Sequence, residues 1–426
     1  GQTFTSLTAN SSAGFFKAVN DGVLTGNVTA NVVSALVETG EVALYEWLEE
    51  GSGNYTLTIQ PSTTVLRTIS GNYAGGLIRF SGADRVTMDG TAGATSGVNY
   101  FTITNTATSG TIATVQLVSL GFDEGSQDIT LRNCNISTGS GSNPASFGIS
   151  SGGVVPGTGG SDHDALPIDQ CDIYQAYTGV YVGDLSSFTY DNLAITTNRI
   201  GSVNIAESVQ GVGIALEQVK GLIEDNEIFN IQSSAGTGPV GIKINAGVIN
   251  STFSRNKIHD IQYNGSGSYG GMGIYINTGN SWSDLTFDNN LIYAISGKGS
   301  EILTDMITGI GIFGQTGWLK FYFNTVNLGG TMDRPGATSD KSACLSIGNE
   351  VTDLDLLNNI FVNTMVNTSG VAFAYAIYCK ANGLIFSPSD YNDYYASGPE
   401  GMLGYLGSNI SSLAAWEFAT WPNDWN

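Results

Sequence analysis

The strongest constraint on this chain is a phrase that keeps returning: an apolar residue, two variable positions, Asn, one variable position, an apolar residue. It is clearest as Phe253/Asn256/Ile258, Phe287/Asn290/Ile292 and Phe321/Asn324/Val326. It runs back through Ile223/Asn226/Ile228 and Ile195/Asn198/Ile200 and forward to Leu356/Asn359/Phe361, with Asn392/Tyr394 as a degenerate last copy. Cys134 and Cys171 hold the Asn place in two earlier copies, Leu131/Cys134/Ile136 and Ile168/Cys171/Ile173. A second phrase, Gly-apolar-x-apolar, falls between the anchors, as in Gly241-Ile242-Lys243-Ile244 and Gly273-Ile274-Tyr275-Ile276. Self-similarity of this kind marks a solenoid.

The anchors stand between about 27 and 37 residues apart. Helical repeats hold their period, and propeller blades need longer units. Short β-branched runs joined by loops of free length predict a coil of parallel strands, each coil rising about 4.8 Å. The Asn sits at a bend, where its amide can bond the Asn of the next coil. The expected ladder is Asn198, Asn226, Asn256, Asn290, Asn324 and Asn359, satisfying amides that are costly to bury unpaired.

The cysteines follow from that register. Cys134 and Cys171 fall in successive coils about 4.8 Å apart, which permits either a disulfide or a stacked pair of free thiols. Cys344 and Cys379 lie three residues out of step, roughly 10 Å apart along a strand, and are expected to be free.

The ends differ from the middle. Residues 1–54 read as a small α/β cap. It holds a short helix over Ser12–Val19 stopped by Asn20-Asp21-Gly22, a strand over Asn31–Val37, and a second amphipathic helix over Glu41–Glu50. An atypical terminal unit is what an open solenoid end needs. Residues 55–410 form the coil. Residues 411–426 carry a helix candidate at Leu413–Phe418 with Trp416, Trp421 and Trp425 nearby. They read as a Trp-rich cap or as the start of a continuation. Pro167 immediately precedes an inward position and belongs at an edge or bulge.

Composition narrows the partners. Fifteen Lys and Arg face 37 Asp and Glu, a net charge of −22. Such a surface repels nucleic acid and anionic membranes, so neither is an expected partner. No apolar run approaches the length of a membrane helix, so direct insertion is not expected. An acidic, Lys-poor, Thr/Ser/Asn/Gly-rich chain fits a secreted or cell-surface protein. Gly1-Gln2-Thr3 opens without a basic region or apolar run, as in a mature chain whose targeting segment has been removed.

The apolar-x-x-Asn-x-Ile phrase with Gly-Ile-x-Ile resembles the right-handed, single-stranded parallel β-helix of the pectate-lyase-like superfold, an all-β solenoid. Phe4-Thr5-Ser6-Leu7, Leu57-Thr58-Ile59-Gln60-Pro61, Gly76-Leu77-Ile78-Arg79-Phe80, Val86-Thr87-Met88-Asp89-Gly90 and Leu413-Ala414-Ala415-Trp416 resemble stretches of large secreted bacterial surface proteins. The resemblance implies a fold that hosts lyases, hydrolases, adhesins and tailspikes, so it leaves function open.

The chemistry is sparse. The Asn-x-Asp, Asp-Asp, Gly-His-Gly and Arg-x-Lys set of a polygalacturonase-like hydrolase is missing, and so is a carboxylate cluster with an Arg base, as a Ca²⁺-dependent lyase needs. No catalytic residue is assigned, no motif indicates a metal or cofactor, and Ca²⁺ stays open only through the fold. Asp162/Asp164 and Asp353/Asp355 each share a strand face, which fits either a solvated face or a carboxylate pair for glycoside hydrolysis. His259 shares a column with Tyr174, Phe229 and Tyr293 and reads as a member of an aromatic stack. Tyr181 and Tyr275 alternate with inward residues, with Lys243 in the same column; they are the candidate glycan platform.

Three classes of function remain. One is a non-enzymatic structural or adhesive surface protein, a filament subunit in its strongest form, with Gly1–Asn10 as a strand donated to a neighbouring copy. Another is a polysaccharide lyase or glycoside hydrolase. A glycan-binding module on the same coil is the third. The partners in view are surface polysaccharide and a second copy of the chain.

Overall fold

One residue with left-handed backbone turns the chain at the same point of each coil. It stands immediately before the anchor: Asn133, Gln170, Thr197, Asp225, Arg255, Asn289, Phe323, Asn358 and Tyr391 all have φ between 51° and 58°. A non-glycine residue there costs about 1–2 kcal/mol. The turn re-aims the backbone so that the anchor side chain lies inside while the strand continues on a new face. The computed structural model describes residues 2–421 apart from 93–96, 123, 162, 186–189, 235, 369–370 and 399. The chain forms two compact units, Gly1–Val209 with Leu216–Leu222 and Gln210–Ala215 with Ile223–Asn426.

In each unit three parallel sheets, A, B and C in the order a coil meets them, wrap a shared core. In the first unit sheet A stacks Ile59, Met88, Leu131, Ile168 and Ile195 in register. Sheet B stacks Ile69, Ile103, Ile136, Ile173 and Ile200. Sheet C stacks Ile78, Val115, Ile149 and Val180. In the second unit Phe253, Phe287 and Phe321 of sheet A lie ring on ring, with centroids 4.9 and 4.6 Å apart. Offset stacking of like rings is the natural packing at this strand spacing. Gly273 of sheet C has no room for a side chain: an added Cβ would lie 2.6 Å from the Gly309 carbonyl oxygen and 2.6 Å from Ile292 Cγ2. That close approach is why the second phrase begins with glycine.

The anchors of the second unit bond one to the next. Asn256 donates its backbone N–H and its Nδ2 to Asn290 Oδ1 at 3.0 and 3.1 Å. Asn290 repeats this toward Asn324 at 3.0 and 2.9 Å, and Asn324 toward Asn359 at 2.9 and 3.0 Å. The second proton of each Nδ2 goes to a carbonyl of the preceding coil, as from Asn290 to Phe253 O at 2.9 Å. In the first unit Asn198 Oδ1 accepts from the Cys171 N–H at 2.9 Å and its Nδ2 donates to Ile168 O at 2.8 Å.

Two expectations about the ends change. The coil begins earlier than residue 55, because Val28–Val32, Leu36–Glu38 and Leu44–Tyr45 already pair with strands of sheets A, B and C. Glu41–Glu50 is not a helix but the short strands Leu44–Tyr45 and Leu48–Glu49. The apolar spacing fitted both states; pairing with Phe80 and Val23 decides it, and Leu48 is left exposed. The helix Phe15–Asn20 and the helix Leu413–Thr420 are both present. Trp416 is fully buried, its ring 5.8 Å from Phe386, whereas Trp421 is exposed and Trp425 lies outside the described residues. Pro167 is the first residue of the strand Pro167–Asp169, where no ladder N–H is lost inside the strand.

The N-terminal segment is held by the buried carboxylate of Glu38. It accepts the Ser6 hydroxyl at 2.7 Å, the Leu7 N–H at 2.8 Å, and the Thr8 N–H and hydroxyl at 2.8 and 2.6 Å. Glu38→Ala orphans those donors and is expected to raise amide exchange at Leu7 and Thr8 at least tenfold, read by hydrogen–deuterium exchange; unchanged protection there means that the carboxylate is not the clamp. Asn290→Leu leaves four ladder groups short of a partner, at about 1–3 kcal/mol for each buried group. We expect a loss on the order of 4 kcal/mol by denaturant unfolding, against less than about 0.5 kcal/mol for the exposed Asn264→Ala.

Candidate functional site

On the second unit the bend leading into sheet A carries Asn250, Asp284, Trp318 and Asp353 in successive coils, each with left-handed φ between 47° and 56°. The first strand positions after the bend point inward, as Leu285, Leu319 and Leu354 do. The next positions point outward: Thr286, Lys320 and Asp355 stand side by side in register. Two columns of polar and aromatic side chains therefore run next to each other on one edge of the sheet.

Trp282 projects from the loop before Asp284, where its N–H donates to Asn280 Oδ1 at 2.9 Å. It meets Trp318 edge to face, with centroids 4.4 Å apart and planes at 66°. Both rings stay open to solvent, Trp282 at 65% and Trp318 at 43% exposure. Beside them is a depression of about 200 Å³ lined by Trp318, Leu319, Lys320, Asp353 and Asp355. Lys320 Nζ donates to Asp284 Oδ1 at 2.6 Å, and the Tyr322 hydroxyl donates to Asp355 Oδ2 at 3.1 Å. Burial pushes the Asp355 carboxyl up; the Tyr322 hydrogen bond and Lys320 pull it back, and the charge of Asp353 pushes it further up. Burial and the same carboxylate raise the Tyr322 phenol. The arrangement offers an apolar corner for a ring and, next to it, donors and acceptors for hydroxyl groups.

The platform expected from sequence is placed differently. Tyr181 lies on the outer side of its strand but is only 7% exposed. Phe147 packs against it at 6.0 Å, the loop at Gly157 folds back over Phe147, and its hydroxyl reaches Glu217 Oε2 at 3.4 Å. A position facing away from the core is not open to solvent when the neighbouring coil and a loop cover it, and burial raises this phenol well above its usual range. Tyr275 and Lys243 are register neighbours in the second unit, with Lys243 Nζ 5.7 Å from the ring. Phe313 covers part of Tyr275 at 5.1 Å. Tyr181 stands in the first unit and the other two in the second.

Other candidates resolve into structure. His163 is buried, accepts the Ser126 N–H at 3.1 Å and stacks on Tyr190. His259 stacks between Phe229 and Tyr293, with ring nitrogens 2.6 Å from Asp260 and 3.3 Å from Glu227. Asp162 lies outside the described residues; Asp164 accepts the Asp191 N–H at 2.9 Å. In the first unit a polar groove of about 420 Å³ on sheet B includes Asn99, Asn135, Asp172 and Arg199. There Arg199 sits 3.6 Å from Asp172, whose carboxyl burial raises and the guanidinium lowers. Among the described residues no group of three His, Cys, Asp or Glu side chains is placed to hold a metal ion.

The family description of a right-handed β-helix region matches residues 122–326. The chain is a right-handed parallel β-helix. A comparison with curated proteins returns no match. Three solved β-helix structures are similar in fold. A mannuronic acid specific polysaccharide family 6 lyase from human gut microbiota is 12% identical, with a TM-score of 0.42, 88% of this chain covered and 83% of that one. The Dettilon tailspike protein is 11% identical, with a TM-score of 0.25 and coverage of 84% and 61%. PfbA, a surface adhesin of Streptococcus pneumoniae, is 10% identical, with a TM-score of 0.26 and coverage of 89% and 85%.

The four cysteines of the β-helix are all free and buried. Cys134 and Cys171 are not joined: Cys134 Sγ donates to Arg132 O at 3.2 Å and Cys171 Sγ to Asp169 O at 3.4 Å, each carbonyl lying two residues back, across the bend at the end of a strand of sheet A. Hydrogen bonding to Cys171 and burial push the Cys134 thiol well up, and burial pushes Cys379 up to about 12. A raised thiol holds less thiolate at any given pH, so native protein is expected to leave an aromatic disulfide reagent unreacted under mildly alkaline conditions. On unfolding, all four thiols should titrate; two would mean that Cys134 and Cys171 are bonded after all.

Proposed function

We propose that this β-helix is an extracellular surface protein of structural and adhesive role, which holds carbohydrate at the Trp282–Trp318 corner without cleaving it. The observation that carries the reading is the pair of exposed indole rings beside a polar depression. Exposed Trp in a soluble scaffold is unfavourable unless something covers it, and the CH faces of a pyranose are a suitable cover. The few polar groups next to the rings are of the kind that fix a ligand's orientation. Ladder and core hold the bend rigid, so the corner is preformed and little ordering is required on binding. The acidic, Lys-poor surface supports an extracellular setting, and among the described residues no helix is long and apolar enough to cross a membrane.

Self-association belongs to the same reading. Gly1–Asn10 would serve as a donated strand only after the Glu38 clamp on Ser6–Thr8 opened. The open edge of Val28–Val32 offers the complementary half, with a groove of about 540 Å³ that includes Phe4, Phe15, Val28 and Leu36. Sedimentation at high protein concentration tests this part; persistent monomer removes it.

A second reading has one observation in its favour. Asp353 and Asp355 line the same depression, and the Asp355 carboxyl is raised, as an acid catalyst requires. Release of reducing ends that Asp355→Asn abolishes would replace adhesion with hydrolysis.

The adhesive reading predicts measurable binding to at least one member of a glycan array. Trp318→Ala should weaken it by about tenfold or more, on the order of 1.5–3 kcal/mol for a buried aromatic contact. Trp282→Ala should act in the same direction with the fold intact by circular dichroism. Undiminished binding by the double variant would sink the proposal.

A further inference from the structure

Charge at the corner is one-sided, and this bears on which sugars it accepts. Among the described residues, the depression is lined by the ionisable side chains of Lys320, Asp353 and Asp355, and Asp284 pairs with Lys320. Lys320, the one cation among the described residues that line the depression, is already in contact with Asp284 at 2.6 Å. Asp355 receives one hydrogen bond, from the Tyr322 hydroxyl. The side chain of Asp353 is exposed and has no hydrogen-bond or ion-pair partner among the described residues. It occupies the bend position one coil on from Trp318, and both line the depression. A ligand that stacks on Trp318 therefore presents its ring substituents to two carboxylates with no free ammonium between them.

We infer that the Trp282–Trp318 corner takes glycans bearing a free, protonated amine, such as oligomers of deacetylated hexosamine, in preference to glycans bearing carboxylates. This rests on the carbohydrate-binding reading above and adds the ligand class. An ammonium on the ring pairs with Asp353 and Asp355, giving the first a donor and the second a donor beyond the Tyr322 hydroxyl. A uronate would bring a third negative charge into the same depression. Neutral hexoses and N-acetylated units stack equally well but leave the carboxylates with water. Exposed ion pairs are individually weak, so two of them amount to about a tenfold preference. The net charge of −22 adds a diffuse attraction of the same sign, which salt screens.

The full chain is titrated calorimetrically with a glucosamine hexamer, its fully N-acetylated counterpart and a uronate hexamer, in buffer mildly acidic enough to protonate the sugar amine. The expected result is binding of the amine oligomer about ten times tighter than the acetylated one, and no measurable binding of the uronate. Asp353→Asn with Asp355→Asn should erase the preference, bringing the ratio of the amine and acetylated affinities from about ten to about one. Glu50→Gln with Asp393→Asn removes the same net charge at sites elsewhere on the surface and should leave the preference intact. Loss of preference in that second variant as well would reduce the effect to diffuse attraction and overturn the inference. Equal binding of the amine and acetylated oligomers, both lost on Trp318→Ala, would overturn it while the carbohydrate-binding reading stood. Binding of all three that Trp282→Ala and Trp318→Ala leave untouched would remove the site itself.

Discussion

Every coil has to turn from one sheet into the next inside the protein, where the amides at the bend have no water to bond. The asparagine ladder answers that requirement. Each side-chain oxygen accepts two N–H groups from one neighbouring coil, and each side-chain nitrogen donates to a carbonyl of that coil and to the next Asn. The alternative, a buried N–H and C=O left unpaired at each turn, costs about 1–3 kcal/mol per group. The ladder also accounts for the strain beside it. Thr197 and Phe323 hold left-handed backbone that a β-branched or aromatic residue rarely adopts, at φ 58° and 57°. That conformation brings the following side chain inward, and the hydrogen bonds made there offset its cost.

Once the bend is fixed, the inner and outer faces of the β-helix obey different rules. Inside, each position must match its neighbours one coil away, which yields the Phe253–Phe287–Phe321 stack and the bare Gly273. Outside, the same register sets any residue next to its counterpart without constraining what it is. Lys320 beside Asp355 and Asp284, and Trp318 beside Asp353, are therefore placed by a scaffold that does not depend on them. A surface built this way can change its ligand without changing its fold.

The parts of this architecture that were legible in the sequence are those that repeat. Asn256, Asn290 and Asn324, with their inward partners two residues on, give the period, the strand type and the register. The second apolar phrase gives a further sheet. Features that occur once were harder. Leu44, Trp47 and Leu48 suit a helix face as well as two short strands, and only pairing with the coil distinguishes them. Tyr181 was placed on the correct side of its strand, but its cover comes from Phe147 and a loop that breaks the repeat. Cys134 and Cys171 were brought into register, whereas the rotamers that turn each thiol to a carbonyl across the bend have no sequence signature. Trp282 and Trp318 belong to loops of unequal length. Counting back from Asn324 does put Trp318 one residue before inward Leu319, at the bend, and that count was the available signal.

The position of the corner also bears on what it does. Catalysis on a polysaccharide requires groups converging from opposite sides of a bond, hence a cleft with two walls. Asp284, Trp318 and Asp353 come from one column, and Lys320 and Asp355 from the column beside it on the same sheet. A sugar laid against these columns can stack on a ring and bond its edge, and the described residues that line the depression all come from this one wall. The raised carboxyl of Asp355 follows from its burial and from the charge of Asp353, two residues back at the bend. On the adhesive reading proposed above, that geometry would serve repeated, reversible contact along a chain of sugars.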